Sequence, residues 1–195
     1  MKVRYLIIGM LLIASFEVLS DGVVDQINLG LEAYEAQDYK AAIDELNYAI
    51  AEMQEKLNSQ NATLLPAPLE GWTASEVENM SGGMAMMGGG THMSRSYSRE
   101  GENVEISIMA GSPMMAGALA MINNPMLLNS SPDTKPYRYK RIKGMQQTSD
   151  GQIEITLAVA GQIMVQVKGS GTDDATIKQY LDVMDFEALQ SALLH

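Results

Sequence analysis

The apolar residues of this chain change their period part-way along, and that change limits the folds open to it. Before residue 65 they recur every three or four positions. Val23, Val24, Ile27, Leu31 and Tyr34 form one series; after Gln37-Asp38, a second runs through Ala42, Leu46, Ala49, Ile50, Met53 and Leu57. This spacing lines apolar side chains along one side of a helix, so residues 21–65 are expected to form two helices. Further on, alternation takes over. Val104, Ile106 and Ile108 are separated by polar residues, the pattern of a strand with one buried face. Helices followed by hairpins, without regular alternation of the two, predict an α+β fold.

The remaining elements follow from turn chemistry. Residues 92–99 and 103–110 read as a hairpin across Glu100-Gly101. Ser112-Pro113 starts a short apolar helix that runs to Asn123 and is stopped by Pro125. Residues 126–136 read as a polar loop, and three strands follow at 137–143, 152–158 and 163–168, with Ser149-Asp150-Gly151 and Ala160-Gly161 as turns. Thr172-Asp173-Asp174 caps a helix carrying Ile177, Tyr180, Leu181 and Met184, and a last turn or two runs over 186–194. Trp72, the single tryptophan, is expected to anchor the segment after Pro66-Ala67-Pro68 in the core. The expected architecture is a helical hairpin at 21–65 and, at 66–195, an antiparallel β-sheet domain with covering helices.

Residues 1–20 have the layout of a secretory signal peptide: Lys2 and Arg4, an apolar run over 6–16, then Val18-Leu19-Ser20. The expected location is the periplasm. The chain has no cysteine, so an exported product would use no disulfide, thiolate ligand or lipid-bearing cysteine. No second apolar run approaches the ~20 residues of a membrane span, so a soluble protein without stable membrane insertion is expected. The formal net charge of −11 argues against nucleic acid as a partner. Acidity is densest early, with nine acids and two bases in residues 21–60.

Leu29-Gly30, Tyr39, Ala42, Leu46 and Ala49 fall where a tetratricopeptide repeat has its signature residues, with Gly30 and Ala42 small enough for close helix approach. The hairpin resembles one such repeat over about 35 residues, departing from it where Gln54 replaces the usual closing proline. Repeats of this kind need about three copies to support themselves, so a single one must lean on the following domain or on another chain. Together with the 65–73 bridge, Gly88-Gly89-Gly90 and the late hairpin, the chain resembles a group of uncharacterised exported bacterial proteins. That resemblance implies the architecture and the periplasm, and no site residues.

Two segments suggest chemistry. Met84, Met86, Met87, His92 and Met93 concentrate thioethers and an imidazole in a glycine-rich stretch, a donor set suited to Cu(I). The competing reading is apolar filling, because methionine also recurs at Met53, Met109, Met145, Met164 and Met184, positions that read as core. The same stretch could instead be a mobile apolar lip. The second segment, Tyr137-Arg138-Tyr139-Lys140-Arg141-Ile142-Lys143, interleaves aromatics with bases and reads as an edge strand rather than as a grip for an anionic polymer. Catalysis has little support: only His92 and His195 are available as imidazole bases, and no phosphate loop is present. A non-enzymatic binding or adaptor protein is therefore expected, its partner another envelope protein or a homo-oligomer mate, with Cu(I) binding the alternative.

Overall fold

A computed structural model describes residues 21–79, 90–113, 115–128 and 132–194. The predicted signal peptide and Met84, Met86 and Met87 lie outside these. The fold is α+β, and the chain divides into two compact units, residues 1–53 and 54–195. The division falls inside the second helix, ahead of the Pro66 at which the sequence suggested a boundary. The last turn of that helix contributes buried Asn61, and Leu65 just beyond it joins the sheet core.

In the first unit, α1 (Gly22–Glu35) and the start of α2 (Tyr39–Ala62) make the expected hairpin. Asp21 caps α1 by accepting from the Val23 backbone N–H at 3.3 Å, and Asp38 accepts from that of Ala41 at 3.1 Å at the start of α2. Between the helices Gln37 takes φ 63°, which reverses the chain in three residues.

The second unit is built on one antiparallel sheet. Its strands are β1 (Thr73–Ala74), β2 (Glu78–Asn79), β3 (Thr91–Arg99), β4 (Glu102–Ala110), β5 (Thr134–Tyr139), β6 (Ile142–Ser149), β7 (Gln152–Val159) and β8 (Ile163–Ser170). The order is β1-β3-β4-β8-β7-β6-β5, with β2 also on β3, so β5 forms an edge. Glu100-Gly101 and Asp150-Gly151 have positive φ at both turn positions, as a two-residue hairpin turn requires.

Two sequence expectations change here. The segment 137–143 is not one strand: it turns at Lys140-Arg141, with Lys140 at φ 51°, and divides between β5 and β6. Arg141 therefore does not share a strand face with Tyr137 and Tyr139. The expected loop at 126–136 also holds more structure, since α3 (Met115–Asn123) is followed directly by α4 (Pro125–Leu128), and β5 begins at Thr134.

Alternation sorts the sheet into two faces. Tyr97, Val104, Ile106, Val165, Val167, Ile155 and Leu157 point to one face and meet Ile177, Tyr180 and Leu181 of α5 (Asp174–Val183) and Leu189 of α6 (Phe186–Leu193). Each such buried side chain contributes roughly 1.5–3 kcal/mol of transfer free energy. On the other face, α3 and α4 cover one corner, where Ile122 and Leu128 pack with Met145. Among the described residues, the rest of that face is mostly polar, with Met109 and Met164 half-buried.

Candidate functional site

The hairpin closes mostly on small residues. Val23 and Gly30 of α1 and Ala42 and Ala49 of α2 are buried, while Gln26, Ala33, Glu45 and Glu52 beside them are half-buried. A methyl group added to Gly30 would sit 3.0 Å from Leu46 Cγ, so glycine is what allows the helices this close. Small residues at a helix crossing permit close approach but bury little apolar area.

The large apolar residues are left outside. On α1 one series is Val24, Ile27, Leu31 and Tyr34, and on α2 another is Tyr39, Ile43, Leu46, Ile50, Met53 and Leu57, with relative exposures from 41% to 61%; Leu29 and Tyr48 are exposed too but lie outside both series. Both series step by three and four residues, the spacing of a and d positions in a heptad. Lettering Val24 and Leu31, and Ile43 and Ile50, as a puts the closing residues Val23, Gly30, Ala42 and Ala49 all at g. Because the helices run antiparallel, the same rotation away from g carries both a/d seams to one side of the hairpin. That side is the candidate binding surface.

Charge is kept off this seam. Asp25, Glu32, Asp44, Glu45, Glu52 and Glu55 fall at b, c and f, whereas Asn28, Asn47 and Gln54 border the seam at e. The charges that do border it, Glu35, Lys40 and Lys56, are of mixed sign.

The predicted copper residues behave differently from one another. His92 lies half-buried on the open face of β3, but its neighbour Met93 points through the sheet into the core and is fully buried. Successive strand residues face opposite ways, so one ion cannot take both; Met93 leaves the predicted set. The register supplies other sulfurs. His92 pairs with Met109 on β4, and Met109 with Met164 on β8, giving a row of three half-buried soft donors across neighbouring strands. Neither Met109 nor Met164 belongs to the two apolar clusters, contrary to their reading as core. No motif along the chain links them, because the row exists only through strand pairing.

The His92 Nε2 is 2.9 Å from Ser107 Oγ, an arrangement also invisible in the sequence. A serine beside an imidazole is the beginning of a nucleophile–base pair, but among the described residues no carboxylate hydrogen-bonds to that ring. Also among the described residues, no group of three or more His, Cys, Asp or Glu is placed to hold a metal ion, and no helix is long and apolar enough to cross a membrane.

Comparison with protein-family models finds no match, and neither does comparison with curated proteins. A solved structure similar to this chain is that of a GTP binding regulator from Thermotoga maritima, at 12% identity and a TM-score of 0.42. The similarity covers 66% of this chain and 86% of that one.

Proposed function

We propose that the protein acts by binding rather than catalysis, using the open side of its N-terminal hairpin as a docking surface for helices of a partner in the bacterial envelope. One observation carries this reading: the hairpin closes on Val23, Gly30, Ala42 and Ala49 and leaves two a/d seams of large apolar residues uncovered. Exposing such residues in register is costly in water and is relieved when partner helices cover them. The partner is another envelope protein or a second copy of the chain. The signal-peptide layout read in residues 1–20 supports the compartment. The test is a photoreactive residue at Ile43, on the seam, compared with one at Glu55, off it, in cells expressing the full chain. Adducts of defined mass at Ile43 and none at Glu55 are expected; no adduct at either would sink the reading.

A second reading, Cu(I) retention, is favoured by the His92–Met109–Met164 row. Thioether and imidazole donors select Cu(I) over harder ions, and directly paired strand residues have Cβ atoms only ~5 Å apart. The Ser107 hydrogen bond at Nε2 would fix the ring and leave Nδ1 as the donor. Competition with a Cu(I) chelator under reducing conditions should show about one bound ion, lost in a Met109→Leu/Met164→Leu double variant. Wild type without retention ends this reading.

A further inference from the structure

Resting on the docking reading of the hairpin, we infer that the occupant of its open side is the hairpin of a second copy, the two closing together as a four-helix bundle.

The geometry is that of half a bundle. Four-helix bundles pack a/d seams from four helices around a common core, with neighbouring helices close to antiparallel. This hairpin brings two such helices, with both seams turned to one side, and lacks the other two. An identical hairpin supplies what is missing in kind and number. Twofold symmetry, the commonest arrangement of soluble oligomers, makes the surface complementary to itself, so that Ile43, Leu46 and Ile50 of one copy and Ile27 and Leu31 of the other fill a shared core.

The area suffices. Ten large side chains, each about half uncovered, offer on the order of 800 Å² per copy, which is what one side of a standard stable interface covers.

Charge also permits it. The hairpin has nine acids and two bases over residues 21–60, yet the b, c and f positions that hold most of the acids face away from the seam. Two acidic hairpins meeting here place Asn28, Asn47 and Gln54 along the join, beside Glu35, Lys40 and Lys56 of mixed sign, so net repulsion acts mainly at longer range, where salt screens it. A basic partner has the opposite signature. Its attraction to the acidic flanks would weaken with salt, while the association of two like-charged copies strengthens.

Sedimentation equilibrium of the full chain, over a range of concentrations and from 50 to 500 mM salt, tests the inference. A dimer that tightens with salt is expected. Ile43→Asp/Ile50→Asp should give a monomer, and Ile43→Ala/Ile50→Ala, which keeps helix propensity and spares the closing residues, should dimerise at least tenfold more weakly; unchanged Trp72 fluorescence would show that the sheet unit remains intact in both. A dimer unaffected by either pair of substitutions overturns the inference. A wild type that stays monomeric while Ile43 photo-crosslinks to a different protein overturns the second copy but leaves the docking reading standing. A monomer that captures nothing removes both.

Discussion

Gly30 and Leu46 set the distance between the two hairpin helices: a Cβ on Gly30 would lie 3.0 Å from the leucine Cγ and 3.1 Å from its Cδ2. A larger side chain at residue 30 must push Leu46 aside or separate the helices. Gly30→Leu is therefore expected to destabilise the hairpin by roughly 1–3 kcal/mol, the range for overpacking, despite leucine's better helix propensity. Native-state hydrogen exchange can follow each unit separately. The amides of α1 should lose protection while those of β4 and β8 keep theirs; undiminished protection in α1 would mean that the contact does not hold the hairpin closed.

Gly144 plays a comparable part within the sheet. A Cβ there would collide with the Thr156 carbonyl oxygen on β7 and come within 2.7 Å of Leu157 Cδ2. The first obstacle is backbone and cannot rotate away. Gly144→Ala should thus cost at least ~3 kcal/mol, above the usual cost of one added methyl, read as a lowered midpoint in urea unfolding. A midpoint within error of wild type would show that β6 and β7 separate there without penalty.

Trp72 meets Tyr180 edge-on, with ring centroids 5.6 Å apart, and the Arg99 guanidinium lies 4.8 Å from its ring centroid. Tyr97 completes the group at 4.6 Å from Tyr180 and donates its hydroxyl to the Pro66 carbonyl at 2.7 Å. The aromatics thereby fix the segment preceding β1 onto the helix-covered face. Trp72→Ala should cost about 3–5 kcal/mol, and Trp72→Phe, which keeps a ring against Tyr180, clearly less. Urea titrations followed by far-UV circular dichroism measure both, and equal losses would show that ring packing is not what matters.

Periodicity made the hairpin readable, because residues three and four apart must share a helix side whatever lies beyond. Its consequence was readable only in part: Gly30 and Ala42 are small enough to mark a close helix approach, but Val23 and Val24 are identical residues, and tertiary packing decides that residues 23, 30, 42 and 49 are buried while 24, 31, 43 and 50 are not. The β3–β4 and β6–β7 turns were visible because glycine marks each. The turn at Lys140-Arg141 was not, since lysine stands where a positive φ is needed and nothing in its chemistry announces it. Strand pairing explains the rest. Met93 and His92 are neighbours in sequence but lie on opposite faces, whereas Met109 and Met164 are far apart in sequence and paired in the sheet.

The same sheet carries a titrating network whose pH response can be worked out. The Tyr139 hydroxyl donates to Asp182 Oδ1 at 2.6 Å, and Lys178 Nζ binds Asp182 Oδ2 at 2.6 Å. The hydrogen bond from Lys178, and then that from Tyr139, hold the Asp182 carboxyl below the ordinary carboxylate value. A folded value below the unfolded one means stability that is present above the unfolded pKa and is lost as pH falls through the folded one. Tyr139 shifts the other way. Burial first, and its bond to Asp182 second, raise it from 10.0 to about 12, so its contribution is complete below 10 and is lost as pH rises through about 12. Tyr139→Phe removes the donor to Asp182 and the phenol together. In urea midpoints measured across pH, the variant should be less stable near neutrality, should lose less on the acid limb with that loss complete at a higher pH than in wild type, and should fall less steeply between pH 10 and 12. Tyr180, raised by burial to about 12, continues to titrate in the variant, so the alkaline loss should shrink without vanishing. Superimposable profiles for the two proteins would show that the Tyr139–Asp182 bond does not couple the strand edge to α5 in solution.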